Sequence, residues 1–226
     1  MLVLTIDTSS TTSSLGIVHS NKLIGEIKID ALKNKHSERL IESIDWLLLN
    51  LNLKLKDIEL LAVVIGPGSF TALRVGLSTA KGLSFAMGIP IAGINTLDAL
   101  VYPYRIWDLP VVPLVPAKKD LFYSSIYRDN LPIFPPVALT YEELSKELVR
   151  LNRFILVGPG AKSLSEIFIR DFHKSVLIPD GGEYILPVAL AELGRTKFER
   201  EGKDNIYNLE PVYIKGADIK LKGFTK

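Results

Sequence analysis

The sequence has no cysteine among its 226 residues and only three histidines. The first absence excludes disulfides, thiol catalysis and zinc sites built on thiolates. Neither sign of charge predominates. The formal net charge of +2 gives no electrostatic case for a dedicated nucleic-acid binder. The sequence has no uninterrupted apolar run of the roughly 20 residues that a membrane span needs. The first residues carry no basic leader, and their apolar run stops at Asp7. We therefore expect a cytoplasmic protein with no membrane association.

The most informative motif of the sequence is Gly66-Pro67-Gly68-Ser69-Phe70-Thr71. Six apolar residues, 60–65, precede it and predict a buried strand, which the glycines and the proline end. Ser69 or Thr71 can then cap a helix over residues 72–88 by accepting a backbone N–H bond. A strand, a tight turn and a helix N-terminus in this order can hold an anion.

The predicted helix has an unusual surface. Its only charges, Arg74 and Lys81, share one face and are flanked by Phe70, Leu77 and Phe85. Small residues occupy much of the remaining circumference, which indicates close approach to another backbone on one side. The apolar flanks of the basic strip suggest a second partner on the other side. The alternative is a helix buried within its own domain.

A second candidate site follows the first predicted strand, residues 2–6. This strand is followed by a carboxylate, Asp7, and by a run of serines and threonines that begins with Thr8 and Ser9. Such a loop can hold a nucleotide phosphate and its metal. Alternatively, these side chains only satisfy the hydrogen bonds of a turn.

The first predicted helix, residues 33–51, has a regular core face and a charged outer face. Trp46 and Leu49 fall among the charges of the outer face. An exposed tryptophan beside a leucine is a plausible anchor for a partner.

The second half broadly repeats the order of elements in the first. We predict strands at 111–115, 121–127, 132–139, 154–157 and 176–179, and helices at 141–151, 162–170 and 184–201. The turn at Gly66 also has a counterpart at Gly158-Pro159-Gly160. We therefore predict an α/β protein of two ribonuclease-H-like subdomains, the layout of the actin-like ATPase superfamily, in which nucleotide sits between the copies. The expected division is residues 1–106, residues 107–215 and a basic tail, residues 216–226. Phosphate contact by this tail is one possibility, and a solvated, disordered terminus is the other.

Several motifs resemble those of the TsaB (YeaZ) family, and the resemblance covers nearly the whole chain. The motif over residues 66–82 is long enough to be specific, while the second half is similar mainly in layout. The quoted segments are Ile6-Asp7-Thr8-Ser9, His36-Ser37-Glu38-Arg39-Leu40, Gly66-Pro67-Gly68-Ser69-Phe70-Thr71, Leu73-Arg74-Val75-Gly76-Leu77, Ala80-Lys81-Gly82-Leu83 and Pro211-Val212-Tyr213-Ile214-Lys215.

The resemblance implies a non-catalytic scaffold subunit with no cofactor of its own. TsaB proteins take part in making threonylcarbamoyladenosine next to the anticodon of tRNA, by pairing with a paralogue, TsaD, that performs the transfer. ATP or ADP and metal are expected in TsaD, with the ATPase TsaE joining the assembly and TsaC supplying the activated intermediate. Contact with tRNA is expected through the complex, and a homodimer in the absence of TsaD. The implied partner interface comprises Trp46, Leu49, Phe70, Arg74, Leu77, Lys81 and Phe85.

Differences from TsaD, the catalytic relative, agree with a non-catalytic role for this chain. TsaD-type proteins hold a metal through an HxxxH pair, whereas here His36 is followed by Leu40, and we expect no metal site. A carboxylate is missing where the second half begins, at Pro116, although Asp120 follows. The family itself usually has glycine where this chain has Ala72.

Two other functions stay open at this stage. One is an actin-like nucleotide hydrolase that uses Asp7 and Asp120. The other is a peptidase, a label attached to this superfamily, for which the sequence offers neither cysteine nor an HExxH motif.

Overall fold

A computed structural model describes residues 1–30 and 36–214, with the side chains of residues 36–38 left out. The predicted basic tail, residues 216–226, lies outside the described residues.

The first half folds around a five-stranded sheet with the order β3-β2-β1-β4-β5. The first three strands form an antiparallel meander, and β4 and β5 continue the sheet parallel to β1. Apolar runs in β1 and β4 are buried on both faces, as expected for strands covered by helices on either side. The strands are β1 (Leu2–Asp7), β2 (Thr12–His19), β3 (Lys22–Asp30), β4 (Leu60–Gly66) and β5 (Ile91–Asn95).

The second half repeats this topology. Its sheet has the order β10-β9-β6-β7-β8, again with three antiparallel strands and two parallel ones. The two ribonuclease-H-like units predicted from the order of elements are therefore confirmed. The strands are β6 (Val111–Pro116), β7 (Phe122–Arg128), β8 (Leu131–Leu139), β9 (Phe154–Val157) and β10 (Val176–Leu177).

Helices cover both sheets, and several of them depart from the predicted bounds. The predicted helix 162–170 consists of two helices, because Leu164 leaves the helical region with φ −109° and ψ 13° between them. The last helix begins at a proline, whose fixed φ suits a first helical turn. The helices are α1 (His36–Asn50), α2 (Phe70–Met87), α3 (Thr96–Val101), α4 (Tyr141–Leu148), α5 (Pro159–Ser163), α6 (Ser165–Phe172) and α7 (Pro187–Glu201). None of the helices in the described ranges combines the length and the apolar character that crossing a membrane requires.

The two halves share a hydrophobic core. Residues from both sheets and from α3 and α7 belong to one buried cluster. Helix α7 packs on the first sheet, where Gly194 lies against Ala62. A partly buried hydrogen bond also joins the halves, since the Tyr127 hydroxyl donates to Asp98 Oδ1 at 2.7 Å. Burial, together with the neighbouring Asp98, raises the pKa of Tyr127. These contacts fix the cleft between the halves.

The chain after α7, residues 202–214, returns along the first half and is called the C-terminal segment below. It begins beside β5, where the Asp204 amide donates to the Ile91 carbonyl at 2.9 Å and Lys197 pairs with the Asp204 carboxylate at 2.7 Å. It then crosses the end of β4, where the Val212 amide donates to the Ile65 carbonyl at 2.7 Å. The segment ends next to the N-terminus of α2.

Candidate partner-binding surface and interdomain cleft

Helices α1 and α2 pack against each other and expose large apolar side chains. The exposed fraction is 58% for Trp46, 71% for Leu49 and 71% for Phe85, with Phe70 at 51%. Four other residues of α1, Leu40, Ile44, Leu47 and Leu48, already form its core face. The exposure predicted for Trp46 and Leu49 is therefore confirmed. Large apolar side chains exposed on neighbouring helices are candidates for a protein–protein contact.

Leu77 is not part of this surface, which corrects its assignment to the partner interface. Its side chain is 3% exposed and packs in the core that α1 and α2 share. The reason is helical spacing, since Leu77 follows Leu73 by one turn and precedes Ala80 by one, and both are buried. Leu77 therefore belongs to the core stripe of α2, although it flanks the basic strip.

The basic strip of α2 faces the chain's own C-terminal segment. The Arg74 Nε donates to the Tyr213 hydroxyl at 3.2 Å, and the half-buried Lys81 donates to the Leu209 carbonyl at 3.1 Å. The Arg74 guanidinium also lies over the Phe70 ring, with 3.8 Å from Cζ to the ring centroid. Sequence reasoning missed Tyr213 as a site residue because 139 positions separate it from Arg74.

The N-terminus of α2 is joined to the loop after β1. Ser69 occupies the cap position as predicted, but its side chain accepts no capping bond. Its amide instead donates to the Ser9 carbonyl at 2.8 Å. Gly68 is needed there, because a Cβ at this position would lie 2.4 Å from the same carbonyl oxygen. The loop after β1 therefore lies against the N-terminus of α2.

Asp7, Thr8 and Ser9 form a compact turn rather than an open loop. The buried Asp7 carboxylate accepts the Ser9 amide at 2.8 Å, and the Thr8 hydroxyl donates to the Ala72 carbonyl at 2.7 Å. Burial raises the pKa of Asp7, although the bond from Ser9 works in the opposite direction. Asp7 lines a cavity of about 10 Å³, room for about one water molecule. The buried Thr96 hydroxyl lines the same cavity and has no hydrogen-bond partner among the described residues.

The cleft between the halves opens beside this turn and has a volume of about 820 Å³. Pro116 ends β6 in the wall of the cleft, where it offers no ligand oxygen on its side chain. Asp120 lies in the exposed turn before β7 and does not line the cleft. The structure therefore does not bring Asp7 and Asp120 together in it. The lining residues are Ser9, Ser10, Thr11, Gly68, Ser69, Phe70, Val115, Pro116, Ala117, Lys118, Tyr123, Pro159 and Tyr213.

A core residue occupies the position where a second histidine would complete a metal site. Helix α1 begins at His36, whose side chain lies outside the described part, and Leu40 is a core residue with 1% exposure. Within residues 1–30 and 36–214, no group of three or more histidine, aspartate or glutamate side chains is arranged to hold a metal ion.

Comparisons with known proteins agree with this fold. The family model described as "TsaD: tRNA N6-adenosine threonylcarbamoyltransferase" matches residues 28–132. The "tRNA threonylcarbamoyladenosine biosynthesis protein TsaB" of Bacillus subtilis is 28% identical over 98% of this chain and 97% of its own length. The protein of the same name from Buchnera aphidicola is 28% identical over 84% of this chain and 94% of its own length. The solved structure "YeaZ from Pseudomonas aeruginosa" superposes with a TM-score of 0.74 over 94% of this chain and 99% of that one, at 21% identity. With the matching motifs and the repeated topology, these similarities confirm the resemblance of the chain to the TsaB (YeaZ) family.

Proposed function

We propose that this chain acts in tRNA threonylcarbamoyladenosine biosynthesis as a non-catalytic subunit that pairs with TsaD and activates it. The names of the full-length relatives support the pathway. The match of residues 28–132 to the TsaD family model supports a partner with the same architecture.

The proposed pairing rests on three large apolar side chains that are exposed on α1 and α2. They are Trp46, Leu49 and Phe85. Burying a large apolar side chain contributes about 1.5–3 kcal/mol each. Three such side chains left in water on adjacent helices are therefore a strong driving force for association. In the proposed heterodimer, α1 and α2 pack against the equivalent pair of helices in TsaD.

The same face supports a homodimer when TsaD is absent. A surface that binds a paralogue through equivalent helices can also pair with itself about a two-fold axis. Because both partners compete for the same residues, TsaD replaces the second copy in the heterodimer.

The chemistry belongs to the partner in this proposal. Pro116 stands in the wall of the cleft of this chain, and neither Asp7 nor the exposed Asp120 lines it, so the cleft wall carries no carboxylate. ATP or ADP and metal are assigned to TsaD, TsaE is the ATPase of the assembly, and the product of TsaC is the activated intermediate. The tRNA binds through the complex, weakly or not at all to this chain alone.

The test is gel filtration with light scattering on this chain mixed with TsaD of the same organism. We expect a one-to-one heterodimer with the wild type, and its loss with Leu49→Glu combined with Phe85→Glu. Val149→Glu is the matched control, because Val149 is 74% exposed at the end of α4 in the other half of the chain. Separate elution of the wild type and TsaD would contradict the proposal.

A further inference from the structure

The guanidinium of Arg74 is held in place by two aromatic rings. Phe70 stacks beneath it, with Cζ 3.8 Å from the ring centroid, and the Tyr213 hydroxyl accepts its Nε–H at 3.2 Å. The two rings contact each other, with centroids 5.2 Å apart. A stacked and hydrogen-bonded arginine has lost much of its rotamer freedom, so a ligand that binds it pays less ordering entropy.

This fixed cation has no acidic partner within the described residues. The sequence contains no aspartate or glutamate from Leu60 to Leu97, the whole region that carries α2. Four other arginines, by contrast, each pair with a carboxylate close by in sequence; they are Arg150, Arg170, Arg195 and Arg200. A guanidinium has five N–H donors, and in the described structure Arg74 uses only its Nε–H. Its terminal nitrogens are left for an external acceptor.

The exposed Arg74 borders a groove of about 400 Å³ on the outer face of α2. The groove contains no second cation, and Lys81 is turned to the Leu209 carbonyl instead. Binding of nucleic acid depends on several lysines or arginines that each neutralise a phosphate. One fork of donors beside apolar surface instead fits one carboxylate, which it can bind with two parallel hydrogen bonds. The groove is lined by Phe70, Thr71, Arg74, Val75, Ser78 and Thr79.

We propose that Arg74 binds an aspartate or glutamate side chain of the protein partner, and that Tyr213 is the positioning residue that aims it. The inference rests on the proposed pairing with TsaD and adds two points to it. The C-terminal segment is a third element of the interface, beside α1 and α2. Recognition combines apolar burial at Leu49 and Phe85 with one oriented ion pair at Arg74.

The experiment is titration calorimetry of the full chain with TsaD, in about 50 mM and about 500 mM NaCl. We expect Arg74→Gln to weaken binding about tenfold or more at low salt and to reduce the salt dependence of the affinity. Arg74→Lys keeps the charge without the fork and restores only part of the affinity. Tyr213→Phe keeps the ring and the charge of Arg74, so we expect a loss on the order of threefold with the salt dependence retained.

Two matched controls separate recognition from general effects on the surface. Arg105 stacks on Tyr102 at 3.9 Å as Arg74 stacks on Phe70, and Arg105→Gln is expected to leave binding unchanged. Tyr207→Phe removes an exposed hydroxyl from the same C-terminal segment, with no expected effect. If the wild type binds TsaD and Arg74→Gln binds equally well, the inference is wrong while the proposed function stands. If the wild type does not bind, both fail. Loss of tRNA binding by the isolated Arg74→Gln chain, with TsaD binding intact, would assign Arg74 to phosphate and also overturn the inference.

Discussion

The Thr8 hydroxyl donates a 2.7 Å hydrogen bond to the carbonyl of Ala72, and this contact joins the turn after β1 to the first turn of α2. Gly76 lies one turn further along α2 and faces the same threonine. Gly68, just before the helix, lies against the Ser9 backbone, whereas Gly76 within α2 lies against the Thr8 side chain. Helix α2 is therefore anchored on the turn whose next residue, Ser9, lines the interdomain cleft.

Gly76→Ala is expected to destabilise the fold. The added Cβ would lie 2.2 Å from Thr8 Oγ1, so the turn after β1 must shift, at a cost of about 1–3 kcal/mol. Gly82→Ala is the matched control on the same helix, because a Cβ there has open space around it. That change should raise the free energy of unfolding by about 0.5–1 kcal/mol through helix propensity. Denaturant unfolding checks both values, and equal stability of the two variants would contradict the packing described for Gly76.

Asp7→Asn is expected to stabilise the protein at neutral pH and not at low pH. Burial raises the pKa of Asp7 above its ordinary value of 3.8, so the unfolded chain releases this proton before the folded one does. The contribution of Asp7 to stability therefore falls as the pH rises from 3.8 through the folded pKa, and then levels off. Asparagine keeps an oxygen to accept the Ser9 amide and carries no charge. The advantage of the variant over the wild type should grow across that window in unfolding experiments.

Asp171→Asn serves as the control of opposite sign. Hydrogen bonds from Arg170 and Tyr141 lower the pKa of Asp171 to about 2, so its contribution is present above the ordinary pKa and is lost as the pH falls towards 2. The variant should lose stability at neutral pH and match the wild type in acid. The same pH dependence in both variants would show that the effect at Asp7 does not come from its burial.

Leu77→Ala and Leu49→Ala are expected to act on different properties. Leu77 is a core residue, so its truncation should lower the free energy of unfolding by about 2–5 kcal/mol. Leu49 is exposed, so its truncation should change stability by no more than about 0.5 kcal/mol and weaken binding to TsaD. Unfolding curves and binding isotherms on the same two variants check this division. A destabilised Leu49→Ala, or a fully stable Leu77→Ala, would reverse the assignment of the two leucines.

Much of the fold was predictable because local patterns specify it. Apolar runs of four to six residues that end at a Gly-Pro-Gly turn identified strands such as residues 60–65 and 154–157. The repeated order of elements then identified the two-subdomain architecture. The exposure of Trp46 and Leu49 also followed from local periodicity, since the core face of α1 was complete without them.

The remaining features depend on contacts between distant parts of the chain. Leu77 is an exception, because its helical spacing from the buried Leu73 and Ala80 is a local signal that its place beside Arg74 outweighed. Tyr213 meets Arg74 only because the C-terminal segment returns across the end of β4. The hydrogen bond from the Ser69 amide to the Ser9 carbonyl likewise joins two loops that are distant in sequence. Local patterns carry no signal for such pairings.

The most direct test of the central claim is formation of threonylcarbamoyladenosine on tRNA by TsaD, TsaE and the product of TsaC, with and without this chain. We expect rapid modification only when the chain is present, none from the chain without TsaD, and a large loss of rate with the double variant Leu49→Glu, Phe85→Glu. Modification at the same rate without the chain would contradict its role as an activating subunit. Magnesium-dependent ATP hydrolysis by the chain alone, abolished by Asp7→Ala, would contradict the claim that it is non-catalytic.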